Sequence, residues 1–150
     1  HNMKSTILIF TLIIASLVAY SQQQSQTGTP PLSVTLSEYM QEDGTSLKST
    51  IPLDTFLNTP EWNGQGAPPL SLVKAVDIAA ICAKERYPQF SSFELCKVDL
   101  SNQSTDDLQA KRWVYHCSFF ASGGTNSIQP GELADVYVLM DGTAVPGPYY

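Results

Sequence analysis

One helical pattern in the middle of the chain limits the folds that it can adopt. It runs from Leu72 to about Tyr87, with Ser71 placed to cap its first turn and Pro88 placed to prevent its continuation. Apolar and small residues recur there on one stripe at helical spacing: Leu72, Ala75, Val76, Ala79, Cys82, Ala83 and, at its end, Arg86. Because such a stripe is unstable in water, another part of the chain must cover this side of the helix.

The apolar surface of this helix is wider than a single stripe. Ile78 and Ile81 extend it toward the opposite side, so we expect a second element, the arm that begins at Val34 or the side chain of Trp62, to cover part of the back. Trp62 lies in a segment rich in glycine and proline. We interpret it as a hydrophobic anchor on the core rather than as a stacking platform for a ligand.

After the helix, the apolar pattern changes from a period of 3.6 to a period of 2. This change predicts strands at Phe93–Leu100, Trp113–Phe120 and Leu133–Met140, a turn at Asp141-Gly142 and a short return strand at Thr143–Val145. The polar residues 101–112 are expected to form the first connection. Strands that follow one helix without a crossover predict the α+β class, in which one long helix packs on an antiparallel sheet of three to four strands.

Residues 34–51 precede the helix and predict a β-hairpin closed by Asp43-Gly44. Folding the chain at this turn sets two apolar pairs opposite each other: Met40 with Leu47, and Leu36 with Ile51. Several serines weaken both strands, so the alternative is an irregular arm laid over the domain. The sequence therefore predicts an N-terminal β-hairpin or arm that precedes the helix.

The first twenty-one residues are typical of a secretory signal peptide. Lys4 precedes an apolar run that ends at Ala19-Tyr20-Ser21, and cleavage is expected near Ser21. The alternative is a retained anchor, but the run is shorter than the roughly 20 apolar residues of a spanning helix. The sequence therefore predicts an exported protein, either secreted or periplasmic.

The remaining residues are expected to form one domain. His1 and Asn2 precede Met3 and are interpreted as a tag or upstream remnant, whereas the polar residues 22–31 predict a disordered leader before a single α+β domain at 32–150. Loss of Lys4 with the signal peptide leaves seven basic and fourteen acidic residues, a net charge of −7. Because this charge repels phosphate groups, we expect no nucleic-acid partner and no membrane association after cleavage.

Three cysteines follow the signal peptide, at Cys82, Cys96 and Cys117. A β-ribbon folded symmetrically about Asp106-Asp107 sets Cys96 opposite Cys117, where they could form a disulfide, although Cys82 could instead reach either of them. The other alternative is three buried, unpaired thiols. A catalytic thiol is disfavoured, because Cys82 lies late in its helix, away from the N-terminal end that lowers a thiol pKa.

Four further residues are weak candidates for ligand binding: Asp77, His116, Ser122 and Asn126. Asp77 would line a cavity between helix and sheet or face water. His116 is the one histidine of the mature chain and would act as a solvated strand residue or as a base. Ser122 and Asn126 belong to a polar, glycine-containing loop. We found no catalytic motif and no metal-ligand spacing, so we predict no catalytic residue, no metal site and no cofactor.

The segment from Ser71 to Val145 resembles, in outline, small exported PepSY-like domains and the cystatin-like helix-on-sheet architecture. The resemblance is carried by the helix that starts Leu72-Val-Lys-Ala-Val and by the strands ending in Val136-Tyr-Val-Leu-Met-Asp-Gly-Thr-Ala-Val145. It implies a non-catalytic module, in some members one that inhibits proteases. The inhibitory Gln-x-Val-x-Gly motif of cystatins is absent from this sequence, so no functional residue transfers.

Two classes of function remain open from the sequence. The first is an exported, non-catalytic module that binds an unknown protein or small molecule, which the missing catalytic motifs favour. The second is a small ligand carrier or enzyme with a pocket between helix and sheet, using Asp77 or His116. A structural component of the cell envelope is a third alternative, and the sequence does not distinguish it from the first.

Overall fold

The computed structural model describes residues 32–105, 110–123 and 133–148. Its elements in chain order are β1 Ser33–Met40, β2 Ser46–Pro52, α1 Leu53–Asn58, α2 Leu72–Arg86, β3 Ser92–Thr105, β4 Ala110–Ser122, β5 Leu133–Leu139 and β6 Ala144–Pro146. The predicted signal peptide at 1–21, the predicted leader at 22–31 and the candidate residue Asn126 lie outside the described residues. The predicted α+β class with antiparallel sheets is confirmed.

Helix α2 begins and ends where the sequence predicts. The Ser71 hydroxyl accepts a hydrogen bond from the Lys74 amide at 3.3 Å, which satisfies one of the free N–H groups of the first turn. At the other end, the Tyr87 amide donates to the Ala83 carbonyl, and Pro88 follows. Small side chains let the helix backbone lie close to the sheet, since three alanines on this side are fully buried: Ala75, Ala79 and Ala83.

The opposite side of α2 is not covered by other described residues. Two apolar side chains there are more than half exposed: Val73 (73 %) and Ile81 (58 %). The expectation that the Val34 arm or Trp62 covers the back of the helix is therefore wrong. The arm packs on the other face of the sheet, and the Trp62 ring contacts the Trp113 ring instead.

The larger sheet is antiparallel, with strand order β3-β4-β5-β6. Its last turn lies at the predicted Asp141-Gly142, where Gly142 has a φ of 90° that only glycine adopts readily. Strands β3 and β4 are longer than predicted and include most of the polar segment 101–112. Polar residues form strand here because the far end of β3 is largely open to solvent, so its side chains need no apolar partner.

The register of β3 against β4 differs from the predicted symmetric ribbon and contains a β-bulge at Cys96. Leu95 pairs with Phe119 and Lys97 pairs with Ser118, so Cys96 is the extra residue. Between the bulge and the β3–β4 connection the pairs run without a break from Val98 with Cys117 to Thr105 with Ala110, so the register is centred one residue later than predicted and the predicted opposition of Cys96 and Cys117 is wrong. An alternating pattern does not show where a ribbon is centred, which is why a ribbon folded symmetrically about Asp106-Asp107 gave the wrong partners.

Strands β1 and β2 form the predicted hairpin, but in a different register. Tyr39 lies opposite Leu47 and Val34 opposite Ile51, whereas the sequence predicted Met40 and Leu36 at these places. The turn is longer than two residues because the Gln41 amide donates to the Thr45 carbonyl and the Asp43 carboxylate accepts from the Thr45 amide. A bulge between Thr35 and Ser37 then shifts the strand pairing by one residue at the end of the hairpin that is farther from the turn.

The larger sheet is covered on both faces. Helix α2 covers one face, where it packs against side chains such as Tyr115, Cys117, Phe119, Val136 and Val138. The hairpin and α1 cover part of the other face, where Val34, Leu36, Ile51 and Phe56 pack against Val114, Tyr137 and Leu139. Burial on both faces explains why β4 and β5 contain the most buried positions of the sheet.

Candidate functional site

The structure does not bring the sequence-predicted site residues together. Asp77 is exposed on α2, so of its two alternatives it faces water and does not line a cavity between helix and sheet. The space between α2 and the sheet is filled by apolar side chains. Ser122 ends β4 with an exposed side chain, and its carbonyl accepts from the Ser91 amide at 3.1 Å. His116 lies on the face of β4 that points away from α2.

His116 takes part in a compact polar cluster with Ser118 and Asp135, which we call the His116 cluster. The His116 Nε2 atom lies 3.0 Å from Asp135 Oδ1, and the Ser118 hydroxyl donates to the same oxygen at 2.6 Å. Ser118 Oγ and His116 Nε2 are 3.4 Å apart. The imidazole also stacks on the Tyr137 ring, with centroids 4.6 Å apart and planes 11° from parallel. The histidine is therefore held from two sides rather than freely solvated.

This geometry does not activate Ser118 as a nucleophile. In a catalytic Ser-His-Asp arrangement, serine and aspartate contact opposite nitrogens of the imidazole, so that one nitrogen is free to accept the serine proton. Here Asp135 faces the same Nε2 atom as Ser118, and the serine proton points at the carboxylate. Ser118 is also only 3 % exposed. The cluster is arranged to fix β4 against β5 rather than to transfer a proton to a substrate.

The electrostatics of Asp135 agree with this structural role. Burial acts to raise the pKa of the Asp135 carboxyl, but hydrogen bonds from His116 and Ser118 outweigh it and hold that pKa below its ordinary value of 3.8. The charged form is thus favoured in the folded protein. Asp135 also contributes through its main chain, because its carbonyl accepts from the Gly147 amide at 2.7 Å beside β6.

We predict that the Asp135→Asn variant is less stable than the parent by about 1–3 kcal/mol at neutral pH. A lowered folded-state pKa means that the carboxylate stabilises the fold above its ordinary value of 3.8 and loses this effect as the pH falls through the folded-state value. Urea unfolding of both proteins at neutral pH and at about pH 3 measures the difference, which should narrow in acid.

Asp99→Asn serves as the matched control for this prediction. Asp99 pairs with Lys97, but its side chain is 44 % exposed, so its removal should change stability by less than about 1 kcal/mol. An Asp135→Asn difference that stays constant between neutral and acidic pH would contradict the role assigned to the carboxylate.

The three cysteines are free in the structure and lie in different surroundings. Cys117 is buried, Cys82 is partly buried, and Cys96 is exposed at the bulge of β3. Burial raises the pKa of the Cys117 thiol to about 11, and burial together with the Glu85 charge raises the pKa of Cys82. A raised pKa removes the thiolate that nucleophilic chemistry requires. Of the alternatives left open by the sequence, the Cys96–Cys117 disulfide is not present in the structure, because the strand register sets Cys117 opposite Val98.

We predict that iodoacetamide modifies one cysteine of the folded, unreduced protein quickly, and that this cysteine is Cys96. Cys117 should react only after denaturation because it is buried, and Cys82 should react slowly because it is partly buried and its pKa is raised. Peptide mass spectrometry before and after denaturation, without reductant, identifies the modified residues. A single modified cysteine in the denatured sample would reveal a disulfide and contradict this assignment.

A cleft of about 880 Å³ lies where the loop after α1 meets the start of β4. We call it the tryptophan cleft, and its lining is formed by Glu61, Trp62, Asn63, Asn102, Ala110, Lys111, Arg112 and Trp113. Both tryptophans of the chain are in this lining. Their rings meet edge to face, with centroids 5.1 Å apart and planes at 61°. Trp62 is thus an anchor for its loop and also part of a concave surface, which its interpretation from sequence missed.

Three contacts hold the loop of the tryptophan cleft in place. The Trp113 indole N–H donates to the Trp62 carbonyl at 2.8 Å. The Arg112 guanidinium contacts the Glu61 carboxylate at 3.0 Å and donates to the Leu57 carbonyl at 2.8 Å. Gly64 adopts a φ of 80°, and a Cβ there would lie 3.3 Å from the Trp113 ring. The cleft is therefore built by tertiary contacts rather than by a mobile loop tip.

Sequence reasoning did not identify the other residues of this cleft. Lys111, Arg112 and Asn102 belong to the segment that the composition assigned to a connection, and they line a wall only because β3 and β4 extend through it. The one readable signal was Trp62 itself, a large aromatic residue between Glu61 and Asn63 in a polar loop. Its partner Trp113 lies fifty-one residues further along the chain, a separation that no local pattern connects.

No family model matches the chain, and neither a curated protein nor a solved structure matches it. The resemblance to PepSY-like and cystatin-like domains therefore stays a prediction. In the part of the chain that the structure describes, no helix has both the length and the apolar character needed to cross a membrane. Among those same residues, no group of three or more histidine, cysteine or acidic side chains is arranged to hold a metal ion.

Proposed function

We propose that this chain is an exported, non-catalytic binding module, with a signal peptide at 1–21, a leader at 22–31 and one binding domain at 32–150. Its ligand is a small molecule, or a small part of a larger partner, that enters the tryptophan cleft. The observation that carries the proposal is the cleft itself, in which both tryptophans lie beside amide and charged side chains. Aromatic walls with a few polar groups are typical of ligand sites.

The rigidity of the cleft also favours binding. Arg112 is only 8 % exposed and links the Glu61 side chain to the Leu57 carbonyl, so the loop is fixed before any ligand arrives. A site that is already ordered loses little conformational entropy on binding. The His116 cluster provides no comparable surface, because its serine is buried and its polar atoms contact one another.

Nuclear magnetic resonance with a fragment library tests the proposal. The two indole N–H signals of the ¹⁵N-labelled protein both come from the cleft, since Trp62 and Trp113 are the two tryptophans of the chain. We expect several compounds to shift both signals with saturable titration curves. The Phe120→Ala variant, which alters an exposed aromatic residue outside the cleft lining, is expected to bind the same compounds. A library that moves neither indole signal would contradict the proposed function.

A further inference from the structure

We infer that the tryptophan cleft takes a saccharide, with a sugar ring packed on an indole and its hydroxyl groups hydrogen-bonded to the surrounding side chains. This inference rests on the proposed function and names the chemical class of the ligand. It follows from the exposed ring surface, the unused hydrogen-bonding groups and the net charge of the residues that line the cleft.

The tryptophans offer apolar surface rather than hydrogen bonds. The Trp113 indole N–H donates to the Trp62 carbonyl at 2.8 Å, and the Trp62 indole N–H donates to the Gln65 carbonyl at 2.8 Å. Both donors are therefore used, and both rings remain partly exposed. A ligand meets ring faces and edges, which suit the weakly positive C–H groups on one face of a pyranose.

The polar side chains of the cleft keep free hydrogen-bonding groups around these rings. Asn63 uses its carbonyl oxygen to accept from the Gln65 amide at 2.9 Å, which leaves its NH₂ group as a donor. Among the described residues, neither Asn102 nor Lys111 has a hydrogen bond or an ion pair through its side chain. Asn102 offers both a donor and an acceptor, and Lys111 offers donors. A sugar, with hydroxyls that donate and accept around an apolar ring face, satisfies this mixture.

The charge of the cleft separates a sugar from other ligands that bind tryptophan. Glu61 neutralises Arg112 at 3.0 Å, so Lys111 leaves the lining with one net positive charge. Cationic ligands also use aromatic rings, but they would meet this net positive charge, and the one carboxylate of the lining, Glu61, is already paired with Arg112 through Oε1. Neutral and acidic sugars meet no such repulsion, and an acidic sugar gains attraction to Lys111.

Indole signals and tryptophan fluorescence of the full protein test the inference directly. The probes are chitotetraose, maltotetraose and tetragalacturonate, which represent N-acetylated, neutral and acidic sugars, with choline chloride as the cationic comparison. We expect at least one oligosaccharide, and not choline, to shift both indole signals with saturation. The Trp62→Ala variant should bind that sugar about tenfold more weakly or worse, since it removes half of the aromatic surface.

Exposed polar variants keep the test independent of folding. Asn102→Ala and Lys111→Gln alter rim side chains that make no hydrogen bond or ion pair with another described residue, and Asn102→Ala should weaken binding about threefold or more through a lost hydrogen bond. If the cleft prefers acidic sugars, Lys111→Gln should weaken the binding of tetragalacturonate more than the binding of neutral sugars. Phe120→Ala is the control that should leave the affinity unchanged.

The outcomes separate this inference from the proposed function. If the sugars leave both indole signals in place while library fragments or choline move them, the saccharide assignment is overturned and the cleft still binds ligands. If sugars bind with the same affinity in Trp62→Ala and Asn102→Ala, they bind elsewhere, and the assignment is again overturned. If no sugar, fragment or choline moves the indole signals, the proposed function falls with it.

Discussion

The Phe119→Ala variant should have a free energy of unfolding about 3–5 kcal/mol below that of the parent protein. Phe119 lies on the face of β4 that is covered by α2, and it is 2 % exposed. Truncation removes a buried ring and leaves a cavity that the close-packed alanines of the helix cannot fill. Urea unfolding followed by circular dichroism measures the loss.

Phe120→Ala is the matched control, because the two residues are neighbours of the same type on opposite faces of one strand. Phe120 is 48 % exposed, so its truncation should cost less than about 1 kcal/mol. Similar losses for the two variants would mean that α2 does not cover this face of the sheet, and the assignment of faces along β4 would be wrong.

The Phe56→Ala variant should lower stability by a similar amount, about 3–5 kcal/mol, but in a different part of the fold. Phe56 belongs to α1 and is fully buried against the hairpin and the face of the sheet that contains Val114 and Leu139. Its loss weakens the attachment of β1 and β2 more than the packing of α2. We therefore expect amides of β1 and β2 to exchange about a hundredfold faster, and amides of β4 and β5 to change less.

Native-state hydrogen exchange read by mass spectrometry gives this comparison peptide by peptide. Asn58→Ala is the control, since Asn58 belongs to the same short helix but is exposed. It should leave exchange in the hairpin unchanged. Equal acceleration across all strands in Phe56→Ala would show that the hairpin and the sheet unfold as one unit, against the local effect expected here.

The site was less predictable than the fold, and particular residues show why. His116 was a candidate from sequence, and Ser118 lies two residues further on the same face of its strand, which an alternating pattern reveals. Asp135 joins them only because the register of β4 against β5 pairs it with Ser118. In the tryptophan cleft, the Trp62 ring contacts the Trp113 ring because the loop that contains Trp62 packs against the start of β4. The two residues are far apart in sequence, so no local pattern connects them.

The sequence alone determined the α2 helix with its Ser71 cap, the strand pattern after Pro88 and the Asp141-Gly142 turn, and hence the α+β class. It did so because residue spacing, caps and turn residues act within a few positions of the chain. Only the tertiary structure decided the bulge at Cys96, the longer turn of the hairpin, the face on which the hairpin packs and the two residue clusters described above. These features depend on which distant segments pack together. A one-residue shift in strand register changes every cross-strand neighbour without changing the local pattern.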